Sequence, residues 1–155
     1  MRSPQLAKTI LIVDDDENNL LLLSHAIGKL DLPVRVLPAH GGEEVLDYLY
    51  ARGAFADRIA GRPQLIIMDL HMPRMNGAQT TRKIRADVAF HAVPIVIFSS
   101  SSHTRDIEES LAAGASQFVT KPIGAEDYRK TIGWIVNRWV VSEQGDHPGE
   151  VTGAI

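Results

Sequence analysis

The sequence predicts an α/β fold, a doubly wound five-stranded parallel sheet with helices on both faces. Three observations carry this. Five short apolar runs rich in β-branched residues recur along the chain, at 9–13, 34–37, 65–68, 95–98 and 117–119. The runs are mostly continuous, as strands read when both faces of a sheet are covered. Amphipathic stretches separate them, and alternation of strand and helix implies parallel pairing through right-handed crossovers.

Taken in order, the first run ends in Asp14-Asp15-Asp16, and a helix is predicted over 18–30, with Asp16 suited to cap it. The second run ends in Pro38-Ala39-His40, which offers little chemistry, and a helix follows over 43–52. The stretch 48–63 is longer than a compact crossover needs. The third run delivers Asp69 and leads to a helix over 77–86, the fourth delivers Ser99 to Ser102 before a helix over 104–113, and the fifth delivers Thr120-Lys121-Pro122. The last helix is predicted over 125–140. Tyr128, Ile132, Ile135, Val136 and Trp139 fall on one face at helical spacing and belong to the core, while Trp134 points elsewhere. An outward aromatic fits either an interface or a partly covered side chain. Residues 142–155 are polar, contain Gly and Pro, and lack periodicity.

Bulk properties narrow the function classes. A chain of 155 residues with 45% hydrophobic residues fits one domain with a sizeable core. The net charge of −3 and the absence of a basic stripe argue against nucleic acid. With no cysteine there is no disulfide and no thiolate metal site. No apolar stretch approaches the roughly 20 residues that span a bilayer, and 1–9 lack a signal-peptide core, so a cytoplasmic protein is expected. None of the six histidines has metal-ligand spacing.

In open α/β sheets, ligands bind beyond the carboxyl ends of the strands. Strands one, three, four and five would therefore bring Asp14, Asp15, Asp69, Ser99 and Lys121 to one rim. These residues carry a family resemblance. Ile12-Val13-Asp14-Asp15-Asp16 resembles the acidic turn of response-regulator receiver domains, and Met68-Asp69-Leu70-His71-Met72-Pro73-Arg74-Met75-Asn76-Gly77 resembles their phosphorylation loop. Ser99 and Lys121-Pro122 match their hydroxyl switch and lysine. The resemblance spans residues 9–141, leaving 1–8 as an extension and 142–155 as a tail. It implies a flavodoxin-like sheet of order 2-1-3-4-5.

The resemblance also implies roles. Asp69 is the phosphoacceptor. Asp15, Asp69 and the His71 backbone carbonyl hold Mg²⁺, with Asp14 acting through water. The physics agrees: three crowded carboxylates repel, and a hard divalent cation offsets that repulsion. Lys121 and Ser99 then neutralise and hydrogen-bond the phosphoryl oxygens, and the Lys121–Pro122 bond is expected to be cis. Phe118 is either an aromatic switch or plain core packing. His71 and Ser101 flank the path of a hydrolytic water. Ser101 is too short to orient that water, and a cationic His71 can shield the phosphoryl group, so a persistent phosphorylated state is expected.

The 48–63 insertion looks like that of stand-alone receivers paired with bacterial phytochrome kinases. The expected partners are thus a sensor histidine kinase, of phytochrome type by that likeness, and a second copy of the chain. The homodimer is expected through the fourth helix, fifth strand and fifth helix, with Trp134 taking part. The alternative is an aspartyl-phosphate-forming phosphatase or phosphotransferase of haloacid-dehalogenase type. Such enzymes carry Asp-x-Asp after the first strand, whereas Asp69-Leu70-His71 follows the third and lacks the second acid. A degenerate receiver would lack an acid or the lysine, and a transcription factor would need a DNA-binding domain beyond the receiver.

Overall fold

A computed structural model describes residues 8–59 and 61–142. The elements run β1 (Lys8–Val13), α1 (Glu17–Gly28), β2 (Val34–Ala39), α2 (Gly42–Leu49), β3 (Leu65–Met68), α3 (Gly77–Arg85), β4 (Ile95–Ser99), α4 (Thr104–Ala112), β5 (Gln117–Thr120) and α5 (Ala125–Val136). One-turn 3-10 helices at Gly53–Phe55 and Val88–Phe90 interrupt the second and third crossovers. The sheet is parallel throughout, in the order β2-β1-β3-β4-β5.

Alternate side chains of the strands feed two apolar layers. Leu11, Val13, Ile66, Met68 and Ile97 pack with Val45 and Leu49 of α2 and Ile84 of α3. Ile10, Ile12, Ile67, Val96 and Phe98 pack with Leu20 and Ile27 of α1 and Ile132 and Ile135 of α5. Every residue of β3 and β4 is buried, which explains their unbroken apolar sequences. Each such Ile, Leu or Phe contributes about 1.5–3 kcal/mol.

Helix starts follow local chemistry. Asp16 accepts a 2.9 Å hydrogen bond from the Asn18 N–H and caps α1 as expected. Asn76 and Gln79 bond reciprocally at the start of α3, a complete capping box. Several boundaries differ from the sequence expectation: α1 ends at Gly28 rather than 30, and α2 at Leu49 rather than 52. β2 continues through Pro38 and Ala39, which an edge strand tolerates because the missing N–H can face away from its single neighbour. The last helix is α-helical only to Val136 and then widens into a π turn over Asn137–Val141, closed by a 2.9 Å bond from the Ser142 N–H to the Asn137 carbonyl. Lys8 Nζ donates to the Val140 carbonyl at 2.9 Å, tying that turn to the start of β1.

The long second crossover folds back on α2. The Phe55 ring meets Tyr48 edge-on at 5.3 Å, and the Arg58 guanidinium lies 4.2 Å over the other flank of the same ring. Arg58 also donates to the Tyr48 and Leu49 carbonyls at 2.5 and 3.3 Å. A cation thus satisfies the last acceptors of α2, where the helix dipole is negative.

Candidate phosphoacceptor site

The site sits at the carboxyl rim because the strand register puts four loop starts side by side. Val13 pairs with Met68, Met68 with Ile97, and Ser99 with Thr120, so the residues that follow emerge together. The Asp69 N–H donates to the Val13 carbonyl at 3.0 Å and the Lys121 N–H to the Ser99 carbonyl at 2.7 Å, extending the ladder into the site.

One carboxylate oxygen from each of Asp14, Asp15 and Asp69 lies within 4.8 Å of the others. Asp14 is only 4% exposed, and its Oδ1 accepts from the Asp16 N–H at 2.9 Å. Asp69 Oδ1 accepts from the Leu70 N–H at 2.8 Å. Lys121 Nζ stands 3.4 Å from Asp14 Oδ2 and 3.9 Å from Asp69 Oδ1. One ammonium therefore serves two acids and leaves a surplus of negative charge. Burial pushes the Asp69 carboxyl above its usual range; Lys121 and the Leu70 N–H oppose this, and Asp14 and Asp15 reinforce it. Three hard oxygen donors around one point are what a divalent cation requires, so the donor set fits. Burial, with Asp14 adding to it, pushes the Tyr128 phenol up to about 12.

Ser99 is fully buried at the end of β4, and its Oγ accepts from the Ser101 N–H at 3.2 Å. Phe118 is fully buried on β5, paired with Ile97 in the apolar layer under α2 and α3. Trp134 lies away from the rim and is 37% exposed. It shares a shallow cavity with Leu30, Leu32 and Val141 and carries the Arg138 guanidinium 5.4 Å over its ring. It thus occupies the flank of α5 toward the end of α1, and does not mark the α4–β5–α5 face expected from the sequence. The Lys121–Pro122 bond is trans, not cis. Trans is the intrinsically preferred isomer of an X–Pro bond, by about 0.5–1 kcal/mol.

Two constellations escaped the sequence reading. His40 bridges α1 and α2, with Nε2 2.9 Å from Glu17 and Nδ1 3.2 Å from Glu44, and both partners hold its pKa above the ordinary histidine value. More consequentially, Asp106 in the first turn of α4 meets both residues expected to flank the hydrolytic path. Its Oδ2 accepts from Ser101 Oγ at 2.5 Å and lies 3.3 Å from His71 Nε2. The Ser101 bond, assisted by His71, holds the Asp106 carboxyl below its usual range. A carboxylate from the next helix therefore links the Ser101 and His71 side chains. The only sequence signal was an acid in a first turn, which ordinarily reads as a dipole partner.

The family profile described as response regulator receiver domain matches residues 10–133. The chain belongs to the response regulator receiver family. The receiver is similar to the phosphorylated cyanobacterial phytochrome response regulator RcpA, at 25% identity and a TM-score of 0.80, covering 94% of this chain and 100% of that one. It resembles a response regulator in red light signaling of R. palustris at 28% identity and a TM-score of 0.78, covering 86% and 94% of the two chains. The bacteriophytochrome response regulator RtBRR is 30% identical with a TM-score of 0.73, covering 93% of this receiver and 86% of that chain. Receiver domains are signalling domains, and the expectation of a flavodoxin-like 2-1-3-4-5 receiver is met. Among the described residues, no helix is long and apolar enough to cross a membrane.

Proposed function

We propose that this receiver accepts a phosphoryl group on Asp69 from a sensor histidine kinase of phytochrome type, and that the modification shifts its conformation and its affinity for partners. The observation that carries the reading is the Asp69 carboxylate set between Lys121 and the acidic pair Asp14 and Asp15. An Asp69 oxygen attacks phosphorus, the bond to the kinase imidazole breaks, and the electron pair leaves with that nitrogen. Lys121 already pairs with Asp69 Oδ1 and continues onto a phosphoryl oxygen. Ser99 Oγ accepts only from Ser101 N–H among the described contacts, so its own proton can turn to a second phosphoryl oxygen. Phe118, on the neighbouring strand, follows that hydroxyl as the aromatic switch. Asp15, Asp69 and the His71 carbonyl would hold Mg²⁺, with Asp14 acting through water, and the ion would supply charge neutralisation.

The phytochrome assignment draws on the three regulators above and on the long crossover packed against α2. The receiver unit is taken as 9–141, flanked by 1–8 and 142–155; residues 1–7 and 143–155 lie outside the described residues. We assign it to the cytoplasm as a homodimer, without nucleic-acid or membrane partners. It assists only its own phosphorylation and dephosphorylation. A phosphatase reading would need a general acid two residues past Asp69, and His71 there is turned to Asp106 instead.

The test is labelling by acetyl phosphate or by a phytochrome-type kinase. Wild type takes up label only with Mg²⁺. Asp69→Asn retains the fold and takes up none, and Asp15→Ala loses both metal binding and labelling. Label on another residue, or labelling undiminished by excess chelator, would falsify the assignment.

A further inference from the structure

The carboxylate of Asp106 belongs to α4, yet one of its oxygens touches side chains from two other segments. Ser101 comes from the loop after β4 and His71 from the loop after β3, two residues beyond Asp69. Those strands are neighbours, so the crosslink runs between adjacent loops at the rim. The Ser101 loop is held from below as well, since Thr120 Oγ1 donates to the Ser101 carbonyl and the Ser101 N–H donates to Ser99 Oγ.

In-line phosphoryl transfer decides what such a crosslink does. The Asp69 oxygen lies on one side of phosphorus, and the other reacting oxygen must lie opposite. On the side of the strand ends, Lys121 Nζ stands 3.9 Å from Asp69 Oδ1 and 3.4 Å from Asp14 Oδ2. The opposite side therefore faces outward, between the loops that carry His71 and Ser101. Loading and hydrolysis share that lane. With acetyl phosphate, the Asp69 oxygen bonds to phosphorus, the phosphorus–oxygen bond to acetate breaks, and acetate leaves through the lane. In hydrolysis a water oxygen arrives through it and bonds to phosphorus. The Asp69–phosphorus bond breaks, its electron pair returns to the carboxylate, and the water proton ends on inorganic phosphate or solvent.

Resting on Asp69 as the phosphoacceptor, we propose that Asp106 is a positioning residue that latches His71 to Ser101 across this lane and slows both entry and loss of the phosphoryl group. The latch must open for either reaction. Its strength is that of one charge-assisted hydrogen-bonded carboxylate, so removing it speeds each step by about three- to tenfold.

The experiment measures two rate constants in Mg²⁺, loading by acetyl phosphate and decay after donor removal. Asp106→Ala raises both. Asp106→Asn keeps an oxygen that accepts from Ser101 and returns both rates toward wild type. His71→Ala, which leaves the backbone carbonyl in place at a side chain 64% exposed, also raises both and carries the test if Asp106→Ala does not fold. In the His71→Ala background, Asp106→Ala adds less than about twofold, because the carboxylate no longer spans the lane. A merely structural Asp106 would give lower rates without rescue by Asn. Unchanged or lowered rates, or effects of the two substitutions that simply multiply, overturn the latch while leaving Asp69 as acceptor. Label that survives in Asp69→Asn overturns both.

Discussion

Asp69 shows how a single residue can be kept at a cost to stability. Its carboxyl is pushed up chiefly by burial, so the folded chain binds that proton more tightly than the unfolded chain does. Stability then falls as pH rises from the ordinary carboxylate value through the raised one, and the ionised group is a net cost at neutral pH. Asp69→Asn removes this cost, and Lys121 keeps Asp14 as a partner at 3.4 Å. We expect the thermal midpoint of Asp69→Asn to exceed wild type by roughly 2–4 °C at neutral pH. The gap should close as pH falls to about 4 and below, and saturating Mg²⁺ should narrow it. Melting curves followed by circular dichroism check this; a variant less stable than wild type at neutral pH would contradict it. At this scale the sequence showed the rim residues that sit in contiguous runs at strand ends, as Asp14, Asp15, Asp69, Ser99 and Lys121 do. Asp106 was not, because its partners come from two other loops and no local pattern joins them. His40 was hidden for the same reason, with one partner on α1 and one on α2.

Among the elements, the start of α3 governs how firmly Asp69 is held. The Gly77 N–H donates to the Leu70 carbonyl at 2.7 Å, which turns the chain back beneath Asp69. A Cβ at Gly77 would collide with the Asp69 carbonyl oxygen and stand 3.1 Å from Leu70 Cα and 3.2 Å from Ile97 Cδ1. Asp69 and Leu70 directly follow a fully buried strand with partners on both sides, and Ile97 lies within the next one, so the backbone cannot yield cheaply. Gly77→Ala should cost about 1–3 kcal/mol in chemical denaturation and slow the labelling of Asp69. Unaltered denaturation and labelling would refute the packing argument. Strands β3 and β4 were readable within a residue because burial on both faces leaves a nearly unbroken apolar signature. β2 ran past its predicted end since an edge strand accepts Pro38, which in sequence reads as a break. The widening of the last helix at Asn137 had no sequence signal: Trp139 stays on the core side, packed against the α1–α5 layer, in either geometry.

For the whole molecule, the open question of assembly centres on α5. Trp134 with Val141, Leu30 and Leu32 makes an apolar patch beside the end of α1, and aromatic anchors of this kind dominate interfaces. We expect a homodimer by light scattering, and a rise of about tenfold or more in its dissociation constant for Trp134→Ala. A monomeric mass at all concentrations would sink self-association, and a dimer indifferent to Trp134→Ala would place the interface elsewhere. One property of the architecture reaches further than any single contact. The two apolar layers lie on opposite faces of the sheet, one lined by α1 and α5, the other by α2 and α3. Between the layers stands strand backbone, and β1, β3 and β4 each have a hydrogen-bonded neighbour on both sides. The two sides are therefore free to diverge at different speeds. A lineage can rewrite the helices of one side to suit a new partner while those of the other stay fixed, with the sheet between them carrying Asp69 unchanged through both histories.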